Sequence, residues 1–280
     1  MKLRHINLTL DDNYFYLNEY DRNLCDSFDF QCAFINDYIT RNVRKLKYET
    51  KHDFVFLEIL LSPHIQADKK VIPFPHDKAI DVYVPFDRQY YEREKDNPDC
   101  HFYLDMIREG IVTLNEFTPL PVEGIFAIMD EFVAGKCVNE WVYKKKRFKE
   151  HDLQIVLRCE FTRDYFQVRL IANSITKKEK LTEGIFLRTE PNPFAFSGLY
   201  SDIELVGDKL VLGRTLYNLF YMIKVDDLKA GIFSVSLFSD QFLIDRMEGI
   251  DYAETTVIPD DTYYLDISEF LKDLQSHDKK

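Results

Sequence analysis

Four His-Asp dipeptides punctuate the chain: His52-Asp53, His76-Asp77, His151-Asp152 and His277-Asp278. An imidazole beside a carboxylate is a donor pair from which hydrolytic metal centres are built. Such centres need further ligands at helical spacing, and none of the four pairs has them. Three pairs fall in expected loops and one in the C-terminal tail, where solvated turns account for them. A metal-dependent hydrolase would need several of His52, His76, His101 and His151 to converge on one pocket with carboxylates. That is the alternative reading, together with a structural or adaptor protein. Asp99-Cys100-His101 brings an acid, a thiol and an imidazole together, but neighbours at a helix start do not point at one another and form no relay. A helix cap followed by a buried cysteine explains the triplet. The acidic pairs Asp226-Asp227 and Asp260-Asp261 have the composition of cation loops and of ordinary turns alike.

The sequence has no P-loop, GxGxxG, HExxH, GxSxG or EF-hand loop. It holds only 9 glycines in 280 residues, and phosphate-cradling loops need glycine for close backbone approach. The five cysteines (Cys25, Cys32, Cys100, Cys137, Cys159) are odd in number and lack a CxxC spacing. Reduced thiols acting as small buried hydrophobes are the expectation. The N-terminal stretch MKLRHINLTLDDNYF is broken by charge, and the apolar run VFLEILL at 55–61 is far too short to span a bilayer. A cytoplasmic protein without cofactor, metal or membrane association is expected.

The formal net charge is -12, and its placement is uneven. Residues 1–200 carry 28 Lys/Arg against 32 Asp/Glu, while residues 201–280 carry 8 against 16. A field of that sign repels nucleic acid and attracts basic partners. The one dense basic run is Lys144-Lys145-Lys146-Arg147-Phe148-Lys149. On a strand, Trp141, Tyr143, Lys145 and Arg147 share one face, and Val142, Lys144, Lys146 and Phe148 the other. Basic and aromatic side chains therefore do not gather on one side as a nucleic-acid platform requires. Lysines on an exposed strand end discourage edge-to-edge pairing instead.

The elements that position these residues follow from hydropathy. A short strand near the N-terminus precedes a helix whose stripe is Phe28, Cys32, Ile35, Ile39, Val43 and Leu46. Residues 53–62 read as a strand, 64–78 as a loop marked by Pro73 and Pro75, and 80–86 as a second strand. Two helices follow. One is capped near Asn97 and Pro98, with Leu104, Ile107, Ile111 and Leu114 inward. The other carries Val122, Ile125, Phe126, Met129 and Val133 and is stopped by Gly135. Strands are predicted at 140–148, 153–161, 164–173 and 184–190, with a hairpin turn at Thr162-Arg163-Asp164. A strand pair over 202–213 turns at 206–209, another strand covers 231–238, and 240–262 is loop or short helix before a final helix at 267–274. Strands and helices come in blocks. The predicted class is α+β: a mostly antiparallel sheet with two central helices packed on one face and a C-terminal α/β extension. The predicted divisions are 1–75, 76–213 and 214–280.

Several segments resemble a known family: KAIDVYVPFDRQYYEREKDNPDCHFYLDMIREGIVTL, then NEWVYKKKRF, QIVLRCEFTRDYFQVRLIA and FLRTEPNPFAFSGLYSDIEL. Together, over about residues 78–206, they are similar to bacterial immunity proteins of polymorphic-toxin and contact-dependent-inhibition systems. The resemblance implies a cytoplasmic α+β protein that binds a cognate toxin domain without catalysis. Many such toxins are nucleases with basic active surfaces, which an acidic inhibitor would mimic and cover. Carboxylates flanked by aromatics are the residue types expected at such an interface. The C-terminal part supplies them at Asp245, Glu248, Asp251, Tyr252, Glu254, Asp260, Asp261, Tyr263 and Tyr264.

Overall fold

A computed structural model describes residues 1–15, 22–65, 70–189, 191, 202–214, 219–238 and 256–257. The chain divides into two compact units, residues 1–139 with 162–164, and residues 140–161 with 165–280. The class is α+β, as the sequence pattern predicts. Sheets run through residues 75 and 213, and the division between the units falls after Asn139.

The first unit opens with β1 (His5–Leu10), a helical turn α1 (Asp12–Tyr14), the long helix α2 (Arg22–Leu46) and β2 (Phe56–Ser62). The hairpin of β3 (Val71–Phe74) and β4 (Ala79–Pro85) follows, then α3 (Arg88–Glu94), α4 (His101–Phe117) and α5 (Val122–Ala134). The sheet order is β1-β2-β4-β3, with β1, β2 and β4 parallel and β3 antiparallel to β4. This parallel pairing lies within a mostly antiparallel fold; α2 provides the crossover that a parallel β1–β2 pair needs. The stretch 71–74 is a strand, although predicted as loop. Pro73 fits because β3 is the sheet's edge, where a missing N–H leaves no ladder bond unmade.

Strict alternation gives this sheet one dry face. Ile6, Leu8, Leu10, Leu57, Ile59, Leu61, Ile80, Val82 and Val84 are fully buried. The helix α4 packs across all four strands and turns Leu104, Ile107, Ile111 and Leu114 inward. Gly110 makes the close approach of α4 feasible: a Cβ at that position would lie 2.8 Å from Ile59. The helix α5 packs on α2 and α4, burying Ile125, Ile128, Met129 and Phe132. In α2 the predicted stripe is buried from Phe28 to Val43, whereas Leu46, at the helix end, is 38 % exposed. Phe15, Phe28, Phe86, Tyr91, Phe102 and Tyr103 form a continuous aromatic cluster with centroids 5.3–6.5 Å apart.

The edge of β1 is sealed by side chains of α2. Asn36 accepts from the Leu8 N–H at 3.1 Å and donates to the Leu8 carbonyl at 2.9 Å. Thr40 accepts from the Ile6 N–H at 3.2 Å and donates to the Ile6 carbonyl at 3.0 Å. Strand-edge groups are thereby satisfied without another strand.

The second unit contains a four-stranded sheet, β5 (Asn139–Phe148), β6 (Leu153–Phe161), β7 (Phe166–Ser174) and β8 (Lys180–Thr189), in that order. β5 begins at the last residue of the first unit. A second sheet comprises β9 (Asp202–Val206), β10 (Lys209–Arg214), β11 (Leu219–Lys224), β12 (Val235–Phe238) and β13 (Thr256–Val257), with helix α6 (Val225–Lys229) after β11. Gly207 takes φ +60° in the β9–β10 turn, which a glycine adopts without strain. Trp141, the single tryptophan, lies 6.1 Å from the Phe166 ring.

Candidate functional site

The second face of the N-terminal sheet is polar and partly exposed. It arises from the same alternation that buries the first: His5, Asn7 and Thr9 from β1, Glu58 from β2, and Asp81 and Tyr83 from β4. The parallel register places Asn7 beside Glu58 and Glu58 beside Asp81 in one row across three strands. Carboxylates at paired positions of neighbouring strands repel each other. Asp29 of α2 joins the face through Thr9, whose hydroxyl donates to it at 2.8 Å.

A side-chain relay orients the row. Asn36 donates to the Asn7 side-chain oxygen at 2.8 Å, and Asn7 donates to Glu58 at 2.9 Å. One amide thus seals the strand edge and fixes a carboxylate of the row. Among the described residues no side chain donates to Asp81: loss of solvent, then the charges of Glu58 and Asp11, push it up to about 6. Asp29 is also pushed up to about 6, by loss of solvent first and then by Asp12 and Asp26, against the opposing bond from Thr9. Glu58 is raised by loss of solvent and by Asp29, despite the bond from Asn7. Asp12 is raised in the same way, with Asp11 and Asp26 as its charged neighbours. Among the described residues, the charges that shift these groups are acidic. Such a face can bind cationic groups, and near neutral pH it holds protons more readily than ordinary carboxylates do.

Asp245, Glu248, Asp251, Tyr252, Glu254, Asp260, Asp261, Tyr263 and Tyr264 lie outside the described residues, as does His277-Asp278. His52 packs against Phe117 at 5.6 Å, His76 lies in the β3–β4 turn, and His101 begins α4 with Asp99 at 3.2 Å. His151 lies in a 3-10 turn of the second unit. Among the described residues, no three His, Cys, Asp or Glu side chains are grouped as metal ligands. Asp152 organises its own turn: its carboxylate accepts from Ser174 Oγ at 2.7 Å, Thr176 N at 2.7 Å and Thr176 Oγ1 at 2.6 Å. These donors hold it down to about 2. Asp226 and Asp227 occupy the first turn of α6, where acidic residues complement the helix dipole.

The basic run lies on β5, an edge strand of its sheet, with Lys145, Lys146 and Arg147 exposed. Lys146 donates to the Ile203 carbonyl and lies 5.6 Å from the Phe148 ring. Asp99-Cys100-His101 does form the start of α4, but the cap is Cys100 rather than Asn97. Asn97 and Asp99 instead accept from the N–H groups of Asp99 and His101 in the preceding turn. Gly135 ends α5 with a right-handed φ of -78°, and the left-handed conformations fall on Lys136 and Cys137.

The acidic row escaped the sequence reading because charge was weighed over long segments, in which lysines elsewhere offset it. The alternation of Asp81 and Tyr83 with Ile80, Val82 and Val84 was visible, and the parallel register that aligns Asp81 with Glu58 was not. Compared with models of known protein families, with curated proteins and with solved structures, the chain matches none. No described helix is long and apolar enough to cross a membrane.

Proposed function

We propose that the protein is a non-catalytic binding protein that engages a basic protein surface, and that its partner is a bacterial toxin domain which it neutralises as an immunity protein. The observation that carries the binding reading is the aligned Asn7–Glu58–Asp81 row with Asp29 beside it, a set of carboxyls raised by loss of solvent and by the acidic groups described around them. Bringing lysines or arginines against such a row replaces repulsion with attraction and lowers the cost of keeping it ionised. The net charge of -12 supports the same sign of partner, and the resemblance over residues 78–206 supports the toxin assignment. The acidic aromatic-flanked residues 245–264 are proposed as a further contact for a basic partner.

Protection tests this reading. Cells producing the toxin domain encoded beside this chain survive when the chain is co-expressed. The triple variant D29N/E58Q/D81N, folded by circular dichroism, loses most of that protection and binds the purified toxin domain at least several-fold more weakly. Survival without the chain, or full protection by the triple variant and by neutralised 245–264 variants alike, would remove the proposal.

A further inference from the structure

A second chemistry lies in the first unit, away from the acidic row in both residues and kind. Cys100 precedes α4 and Cys137 follows α5, so 37 positions separate them in the chain. The fold nevertheless brings them together: the Cys137 thiol lies 3.3 Å from the carbonyl of Asp99, the residue before Cys100. Both are unbridged. They line one cleft of about 370 Å³ with Lys136, Arg163 and Asp96, all residues of the same unit.

The backbone at both cysteines is unusual. Cys100 has φ 59° and Cys137 φ 54°, the left-handed region that non-glycine residues occupy at a cost of about 1 kcal/mol or more. Lys136 precedes Cys137 in the same conformation, at φ 58°. Two reversed residues after α5, while Gly135 itself stays right-handed, carry the Cys137 side chain toward Asp99, whose carbonyl accepts from the thiol at 3.3 Å.

We propose that Cys100 and Cys137 are a thiol–disulfide exchange site that reacts with a small anionic disulfide of the glutathione type. Lys136 and Arg163 line the cleft beside them with Asp96 and Asp164, Arg163 and Asp96 lying 3.6 Å apart, so that the cleft offers both signs of charge to the carboxylates and the ammonium groups of such a reagent. Cys137 is the attacking thiol. It is the more accessible of the two, at 9 % against 2 % for Cys100. Its thiolate is also favoured, by the neighbouring Cys100 thiol and by Arg163, against burial and the charge of Asp99.

The steps balance without another oxidant. The Cys137 thiolate attacks one sulfur of the disulfide, a Cys137–glutathione bond forms, and the first glutathione leaves as a thiol after taking a proton. Cys100 then gives up its proton to solvent and attacks the Cys137 sulfur. The second glutathione leaves, and the Cys100–Cys137 disulfide remains. The dithiol is oxidised by two electrons, and one small disulfide is reduced to two thiols.

The test uses the full chain in glutathione buffers of graded oxidation, quenched by alkylation and mapped by mass spectrometry. Cys100 and Cys137 lose alkylation together and appear as one linked peptide pair. Cys25, Cys32 and Cys159 remain alkylatable once the quenched protein is denatured. C100S retains glutathione on Cys137, whereas C137S takes up none on Cys100. The proposal is overturned if the wild-type pair stays reduced in fully oxidised glutathione. It is equally overturned if modification is spread over all five cysteines. Both of these outcomes are read on the unaltered chain, so a variant that fails to fold does not obscure the result.

Discussion

Asp29 and Asp81 push stability with pH in the opposite direction from Asp152. Both carboxyls rise from 3.8 to about 6 on folding, so the folded chain binds their protons more tightly than the unfolded chain does. Their effect is absent below 3.8, where both states are protonated, and stability declines as pH climbs from there to about 6. Discounted for solvent screening, the decline is about 1 kcal/mol for each group. D81N should therefore flatten part of this decline and raise the urea midpoint at neutral pH. Asp152, held near 2, contributes stability that is present above 3.8 and is lost as pH falls toward 2. D152N should lower the urea midpoint at pH 7 and leave it unchanged near pH 2. Urea titrations of the three proteins across that range separate the two signs. Partner binding through Asp29 and Asp81 should likewise weaken as the pH drops through 6, in a calorimetric titration against the basic domain.

At the scale of elements, contact depends on what a strand or helix omits. Gly110 lets α4 lie on β2, and G110A would place a Cβ 2.8 Å from Ile59. The substitution should cost about 1–3 kcal/mol in urea unfolding, and I59V should recover part of it by giving way. Asn36 satisfies both backbone groups of Leu8. N36A should cost about 2 kcal/mol for the orphaned groups, and light scattering should show the uncovered β1 edge pairing between molecules. Much of this layer was legible. The stripes of α2 and α4, the alternation of β4 and the turn at Thr162-Arg163-Asp164 are local patterns, and local patterns survive folding. The parallel register was not legible, because pairing partners far apart in sequence leave no periodicity. Proline obscured β3 for the converse reason: it is a local signal against a strand, overridden at an edge. The contact of Cys100 with Cys137 was hidden likewise, since neither thiol lies near the other in the chain.

For the whole molecule, long-range charge governs how a partner arrives more than how tightly it stays. With a net charge of -12, association with a basic domain should accelerate as salt is removed. The Debye length grows from about 8 Å at physiological ionic strength to about 30 Å at roughly 0.01 M. Stopped-flow association rates should rise several-fold from the first condition to the second, with dissociation changing much less. The division into two units was not legible because its boundary crosses no linker: β5 starts at Asn139, the last residue of the first unit, and the turn 162–164 belongs with that unit although β6 and β7 do not. Domain boundaries read from composition look for a flexible connection. Here the chain passes between units on a strand.

The position of Trp141 gives the molecule a built-in optical label. It is the single tryptophan, and it lies in the second unit beside Phe166. The first unit holds instead Tyr91 and Tyr103, whose hydroxyls both donate to Gln31, at 2.9 and 2.7 Å. Emission excited at the red edge of protein absorbance therefore reports the second unit alone, whereas the near-ultraviolet dichroism of the packed tyrosines draws heavily on the first. Melting curves recorded with the two signals reveal whether the units lose their structure together, without a dye or an engineered probe.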